Sequence, residues 1–165
     1  MLSTFPLLQI TLPTYYKDIE MPTAKSFFSP DQQEDIRQAI MNAELDTSGE
    51  IRVHIENTCK GEVLDRALVI FNNLEMNKTE NRNGVLIYLA VKNRKFAIIG
   101  DTAIHAAVTE NFWDSIRNKM LNRFRENQFT EGLVEAILET GQQLKKHFPY
   151  KRDDVNELSD DISFV

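Results

Sequence analysis

The stretch from Asn83 to Asp101, NGVLIYLAVKNRKFAIIGD, constrains the fold more than any other part of this 165-residue chain. Its first apolar run, Val85 to Val91, has seven residues without a charge. That is the length of a strand buried on both faces and far too short to cross a membrane. A second apolar run, Phe96 to Ile99, follows four polar residues. The pattern predicts an antiparallel hairpin, so Asn83 and Asp101 should lie side by side at one edge of a sheet.

A strand and a helix precede the hairpin. Residues 50–56 alternate, with Ile51, Val53 and Ile55 as the apolar positions, which predicts a strand with one buried face. Residues 61–76 show a helical period. A strand–helix–strand order predicts that the strands at residues 50 and 85 are parallel, with a right-handed crossover between them.

The remaining periodic segments predict helices. Ser29 and Gln32 form a capping box at the start of a helix over residues 30–44, with Pro30 at its first position. Residues 110–126 repeat apolar side chains at helical spacing, and a last helix should begin with Thr130 as its cap. The chain is thus expected to be an α/β protein around a small mixed sheet.

Both ends of the chain differ in character from the middle. Residues 1–26 hold three prolines and no clear period, which predicts a flexible N-terminal extension, and Met21 is an alternative start. Residues 150–165 are polar and acidic, which predicts a disordered tail. The folded domain should therefore cover residues 27–149.

The composition limits the classes of partner. A net charge of −6 and a pI near 5.1 argue against nucleic acids or anionic membranes as general partners, and suit a protein that gathers cations. The single Cys59 excludes an intrachain disulfide framework. With no transmembrane run and no export signal, the sequence predicts a cytoplasmic protein without membrane insertion, and we expect a monomer.

Polar residues from three loops should converge at one edge of the predicted sheet. The starts of the strands at residues 50 and 85 and the end of the strand at Asp101 fall on the same edge, within about 10 Å of one another. Carboxylate and amide oxygens are the ligands that Ca²⁺ and Mg²⁺ prefer, which predicts a divalent-cation site. The candidate ligands are Asp46, Glu50, Glu80, Asn83, Asp101 and Glu110.

Several sequence segments, taken in order, resemble a TPM domain. They are SFFSPDQQEDIRQAI, TSGEIRVHIE, NRNGVLIYLAV, FAIIGD and ENFW, and the resemblance covers residues 27–148. It implies a three-layer α/β/α sandwich around the mixed sheet, with an acidic edge that binds divalent cations in some members. Weak acid phosphatase activity is also implied for part of the family.

The resemblance carries over to individual positions and also departs from the family at two of them. Glu50, Asn83 and Asp101 match the motif positions of the acidic edge. Many members have Asp where this chain has Arg82, and an aromatic residue where it has Asp101. The predicted function is a Ca²⁺- or Mg²⁺-binding domain with a regulatory or protein-interaction role, and another protein is a second possible partner. The alternative is a weak metal-dependent acid phosphatase, although the chain offers no convincing nucleophile and none of the common nucleotide, metalloprotease or hydrolase motifs.

Overall fold

A computed structural model describes residues 22–165 of the chain. Met21 and the rest of the predicted extension before it lie outside these residues. Residues 24–26 already belong to the folded part, because Ala24 is buried and its backbone N–H donates a 2.7 Å hydrogen bond to Asn57 Oδ1. The folded part thus begins slightly before residue 27.

Within residues 22–165, the sheet has four strands in the order β3-β2-β1-β4. Its strands are β1 (Glu50–Glu56), β2 (Gly84–Ala90), β3 (Lys95–Gly100) and β4 (Ser163–Phe164). β1 and β2 are parallel, and β2 and β3 form an antiparallel hairpin, as the sequence predicts. The mixed sheet is therefore confirmed, with one additional short strand.

Helices cover both faces of the sheet and complete the expected three-layer α/β/α sandwich. They are α1 (Pro30–Glu44), α2 (Val63–Asn73), α3 (Thr102–Ala107), α4 (Phe112–Arg125) and α5 (Phe129–His147). One apolar core lies between one sheet face and α1, α4 and α5, and a smaller core lies between the other face and α2. Within residues 22–165, no helix is long and apolar enough to cross a membrane.

The predicted helix caps are right for α1 and wrong for α5. The Gln32 N–H donates to Ser29 Oγ (3.2 Å) and the Ser29 N–H donates to Gln32 Oε1 (2.9 Å), which is the predicted capping box. α5 instead begins at Phe129 with Gln128 as its N-cap, so Thr130 lies inside the first turn. Aromatic packing explains the earlier start, because the Phe129 ring lies 5.1 Å from that of Phe27.

The C-terminal residues differ most from the sequence expectation of a disordered tail. Ser163 and Phe164 form β4, which pairs in parallel with β1 at His54 and Ile55. Apolar side chains inside the acidic segment contribute to this order, since Phe164 packs against the larger core. The acidic composition of the segment predicted disorder and gave no sign of these contacts.

Candidate functional site

The loops before β1, before β2 and after β3 meet at one edge of the sheet. The strand register places Glu50 opposite Gly84 and Val85 opposite Gly100, and the Asp101 N–H donates to Gly84 O (2.9 Å). The edge that the topology predicts is therefore present.

Asp101 is held by Arg82 rather than left open toward a ligand. Arg82 Nε and Nη2 donate to the two carboxylate oxygens at 2.7 and 2.9 Å, and the Thr102 N–H donates to Asp101 Oδ1 at 2.7 Å. The Asp101 side chain is completely buried. Both oxygens thus have partners within the protein, and Asp101 is the N-cap of α3.

Asn83 lies at the same edge beside Ser48. Asn83 Nδ2 donates a 3.2 Å hydrogen bond to Ser48 Oγ, while Asn83 Oδ1 is buried without a hydrogen-bond partner. This amide oxygen is therefore still able to accept a hydrogen bond.

The other predicted ligands are spread around the edge. Asp46 forms an ion pair with Lys145 (2.9 Å), and its side chain is 72% exposed. Glu80 and Glu110 are exposed, and the backbone N–H of Glu80 points toward the carboxylate of Glu157. The structure thus does not bring the six candidate ligands into a single cluster.

Glu50 lines an open pocket of about 290 Å³ at this edge. Its side chain is buried, and Oε1 accepts a 2.7 Å hydrogen bond from the Glu157 N–H. Oε2 has no hydrogen-bond partner in the part of the chain that the structure describes. Burial raises the pKa of Glu50 to about 7, and the nearby carboxylates of Glu157 and Asp160 add to the increase. Among the described side chains that line this pocket, Glu50 Oε2 is the buried oxygen without a partner.

Glu44 lines the same pocket and was missed by the sequence analysis. Its Oε1 accepts a 2.7 Å hydrogen bond from the Ile51 N–H. Burial raises its pKa to about 9, with a further contribution from Glu50 and Asp160. A signal was present, because Glu44 follows Ile40 by four residues and so falls on the apolar stripe of α1.

The predicted ligand Asp46 also lines this pocket, and the C-terminal residues contribute two more acids, Asp154 and Asp160. They were missed because the segment was expected to be disordered. Around the acids, the pocket rim is apolar, with Leu45 63% exposed and Val155 76% exposed. We refer to this region, with Glu44, Glu50, Asp154 and Asp160, as the acidic pocket.

The acidic pocket is not a ready-made metal centre. Within residues 22–165, no group of three or more His, Cys, Asp or Glu side chains is arranged to hold a metal ion. The available donors are nevertheless carboxylate oxygens, which suit a hard divalent cation, and one of them, Glu50 Oε2, is buried without a partner.

A second buried polar cluster lies at the opposite end of β1. Glu56 is paired with the guanidinium of Arg66 and accepts a 2.6 Å hydrogen bond from the Tyr88 hydroxyl. Burial alone would raise the pKa of Glu56, but the hydrogen bonds from Arg66 and Tyr88 outweigh it and lower the pKa. These interactions satisfy the carboxylate, so this cluster is a structural anchor between β1 and α2.

Three solved structures are similar to this chain. The NMR structure of the BA42 protein from the psychrophilic bacterium Bizionia argentinensis shares 45% sequence identity, with a TM-score of 0.78 over 84% of this chain and 96% of that one. The N-terminal domain of a P. gingivalis protein is 19% identical, with a TM-score of 0.64 over 76% of this chain and 83% of that one. The N-terminal domain of a Corynebacterium glutamicum protein is 15% identical, with a TM-score of 0.57 over 71% and 74%. The last two support the fold alone.

The family assignment rests on a match to a family model. No match is found among functionally curated proteins. The model of the TPM domain matches residues 23–143, which is most of the chain. This range includes Glu44, Glu50 and the hairpin, and it ends before the C-terminal residues that complete the acidic pocket. The chain therefore belongs to the TPM domain family.

Proposed function

We propose that this protein is a regulatory domain that binds a divalent cation, Ca²⁺ or Mg²⁺, in the acidic pocket. One observation carries the proposal: Glu50 Oε2 is buried without a hydrogen-bond partner among residues 22–165, and Glu50 lines a pocket that contains four further carboxylates. A buried acceptor of this kind is costly unless a ligand, a proton or a water molecule satisfies it.

Glu50 and Glu44 would hold the cation from the body of the domain, and Asp154 and Asp160 from the C-terminal residues. The ion would neutralise the charges of Glu50 and Asp160, which raise the pKa of Glu44, and Asp160 also raises the pKa of Glu50. The four acids are not pre-arranged as a metal centre, so binding requires their side chains to move together. Asp101 and Asp46 are already paired with Arg82 and Lys145, and the proposal does not depend on them.

The positions of these acids in the chain support a regulatory role. Two belong to the rigid body of α1 and β1, and two belong to the segment after α5. A cation shared between them would hold the C-terminal segment against the sheet. It would therefore increase the population of molecules in which the segment is bound there. We propose a cytoplasmic monomer, in keeping with the single cysteine.

Metal-dependent phosphatase activity has weaker support. A phosphate group at this edge would need a free guanidinium, but that of Arg82 donates to both oxygens of Asp101. An assay with an aryl phosphate and Ca²⁺ or Mg²⁺ should therefore show no turnover above that of a heat-denatured sample.

Calorimetric titration of the full chain with Ca²⁺ and Mg²⁺ tests the proposal. Glu50→Gln removes the charge and keeps the shape, and it should weaken affinity by tenfold or more, about 1.4 kcal/mol. The matched control is Glu110→Gln, because Glu110 is exposed and does not line the acidic pocket. Equal affinity in the parent and Glu50→Gln would overturn the proposal.

A further inference from the structure

The outward face of β1 is made of ionisable side chains, and all of them are buried. Exposed fractions are 9% or less for each of Glu50, Arg52, His54 and Glu56. Alternation along β1 had predicted one buried face and one polar, solvent-facing side. The segment after α5 covers most of this polar side and accounts for the difference.

Three of these side chains bind the covering segment directly. Glu50 accepts from the Glu157 N–H and Arg52 Nη1 donates to the Ser159 carbonyl oxygen, both at 2.7 Å. His54 Nδ1 is hydrogen-bonded to Ser163 Oγ at 2.7 Å. The first two contacts recognise main-chain atoms, which are available on any extended peptide.

The backbone edge of β1 adds strand pairing to these contacts. His54 and Ile55 pair with Ser163 and Phe164, and the Val165 N–H donates to Ile55 O at 3.3 Å. Only two residue pairs form in this parallel ladder. We call the side chains of Glu50, Arg52 and His54, together with this edge, the β1 groove.

We propose that the β1 groove is a binding site for an extended acidic peptide segment of a partner protein, and that residues 157–165 fill it in cis. Addition of a strand to an open sheet edge is a common mode of peptide recognition. The resident segment shows the kind of ligand that the groove accepts.

The polar side chains on this face of β1 support a C-terminal segment that can dissociate from it. A permanently covered strand face is usually apolar, as it is on the other side of β1, where Ile51, Val53 and Ile55 are fully buried. Glu50, Arg52 and His54 can instead be hydrated when the segment leaves. The residues that connect α5 to the covering segment are also largely exposed, at positions 151–153 and 155–157.

Charge and shape define the preferred peptide. Arg52 and Arg37 are attracted electrostatically to Asp161, so an acidic residue at this position of the segment is favoured. Asp160 is attracted to the same arginines but also lies near Glu44 and Glu50, whose pKa it raises. Apolar side chains flank them: Leu158 packs against the smaller core, and Ile162 and Phe164 pack against the larger one. The partner segment should combine these acids with apolar anchors on both sides.

A peptide-binding experiment with the full chain tests the proposal. Leu158→Ser with Phe164→Ser removes two anchors of the resident segment and should release it. A fluorescent peptide with the sequence of residues 157–165, ELSDDISFV, should bind this released variant at least tenfold more tightly than the parent. Fluorescence anisotropy in EDTA measures the binding without any contribution from the acidic pocket's cation, so the two proposals can fail separately.

Two controls define specificity. Arg52→Gln in the released background should weaken peptide binding by tenfold or more, because it removes the contact to the carbonyl oxygen at position 159. A scrambled peptide of the same composition should bind at least tenfold more weakly. Equal binding of the scrambled peptide, or of the native peptide to the parent and to the folded released variant, would overturn the proposal.

Hydrogen exchange of the parent chain provides a test that needs no variant. The amides of Glu157 and Val165 should exchange at least 100-fold faster than those in the middle of β2, because the segment opens without unfolding of the sheet. If the segment amides and the β2 amides exchange at the same rate, the segment is a fixed part of the fold, which contradicts the proposal.

Discussion

Arg82 and Asp101 form a two-point ion pair across the acidic edge of the sheet, with nitrogen–oxygen distances of 2.7 and 2.9 Å. The pair joins the loop before β2 to the N-terminus of α3. Asp101 is fully buried, whereas the Arg82 side chain is 46% exposed. Removing the arginine would leave a buried carboxylate with little compensation.

Arg82→Met should therefore lower the free energy of unfolding, because Asp101 stays buried while its charged partner is lost. Chemical denaturation monitored by circular dichroism would measure the change. Addition of Asp101→Asn should restore part of the loss, because the uncompensated charge is then absent. Unchanged stability in Arg82→Met alone would show that the pair contributes nothing.

Close packing of α1 against α5 leads to a second prediction, at Gly141. A Cβ at this position would lie 2.6 Å from the Cβ of Ala43 and 2.7 Å from its Cα. Gly141→Ala should force the helices apart and lower the free energy of unfolding by about 2 kcal/mol. The exposed neighbour Gln142 supplies the control, since Gln142→Ala should change thermal stability little.

The raised pKa of Glu50 predicts how stability depends on pH without divalent cations. The folded-state pKa, about 7, lies above the ordinary glutamate value of 4.5, so the folded protein binds more protons than the unfolded chain in this interval. The stabilising contribution of Glu50 is therefore complete at low pH and is lost as pH rises from about 4.5 to 7. The loss through this carboxyl group is on the order of 3 kcal/mol at most.

Glu50→Gln isolates that contribution, because an amide does not titrate in this range. In EDTA, the variant should gain stability relative to the parent as pH rises from 5 to 8, as measured by urea unfolding at each pH. A parent and variant that differ by the same amount at every pH would contradict the raised pKa.

Sequence patterns predicted the sheet and helices well, because the signals were local. The apolar run from Val85 to Val91 and the alternation around Val53 determined the parallel and antiparallel pairs. The start of α5 was missed because the packing of Phe129 against Phe27, far away in the chain, outweighed the preference of Thr130 for a cap.

The acidic edge was predicted in position but not in its internal pairing. Topology brings Glu50, Asn83 and Asp101 to one edge, yet no local pattern reveals that Arg82 folds back onto Asp101. The contribution of residues 154–165 was hidden for the same reason. Their partners on β1 are about a hundred residues away in the sequence, and acidic composition favoured disorder.

The acidic pocket gives the central claim its most direct test. Amide spectra of the ¹⁵N-labelled full chain, recorded during titration with Ca²⁺ and with Mg²⁺, report each backbone position separately. We predict saturable shifts concentrated in residues 44–50 and 154–160, reversed by EDTA and reduced in Glu50→Gln. If saturating concentrations of both ions leave these amides unmoved, the protein does not bind a divalent cation in the acidic pocket.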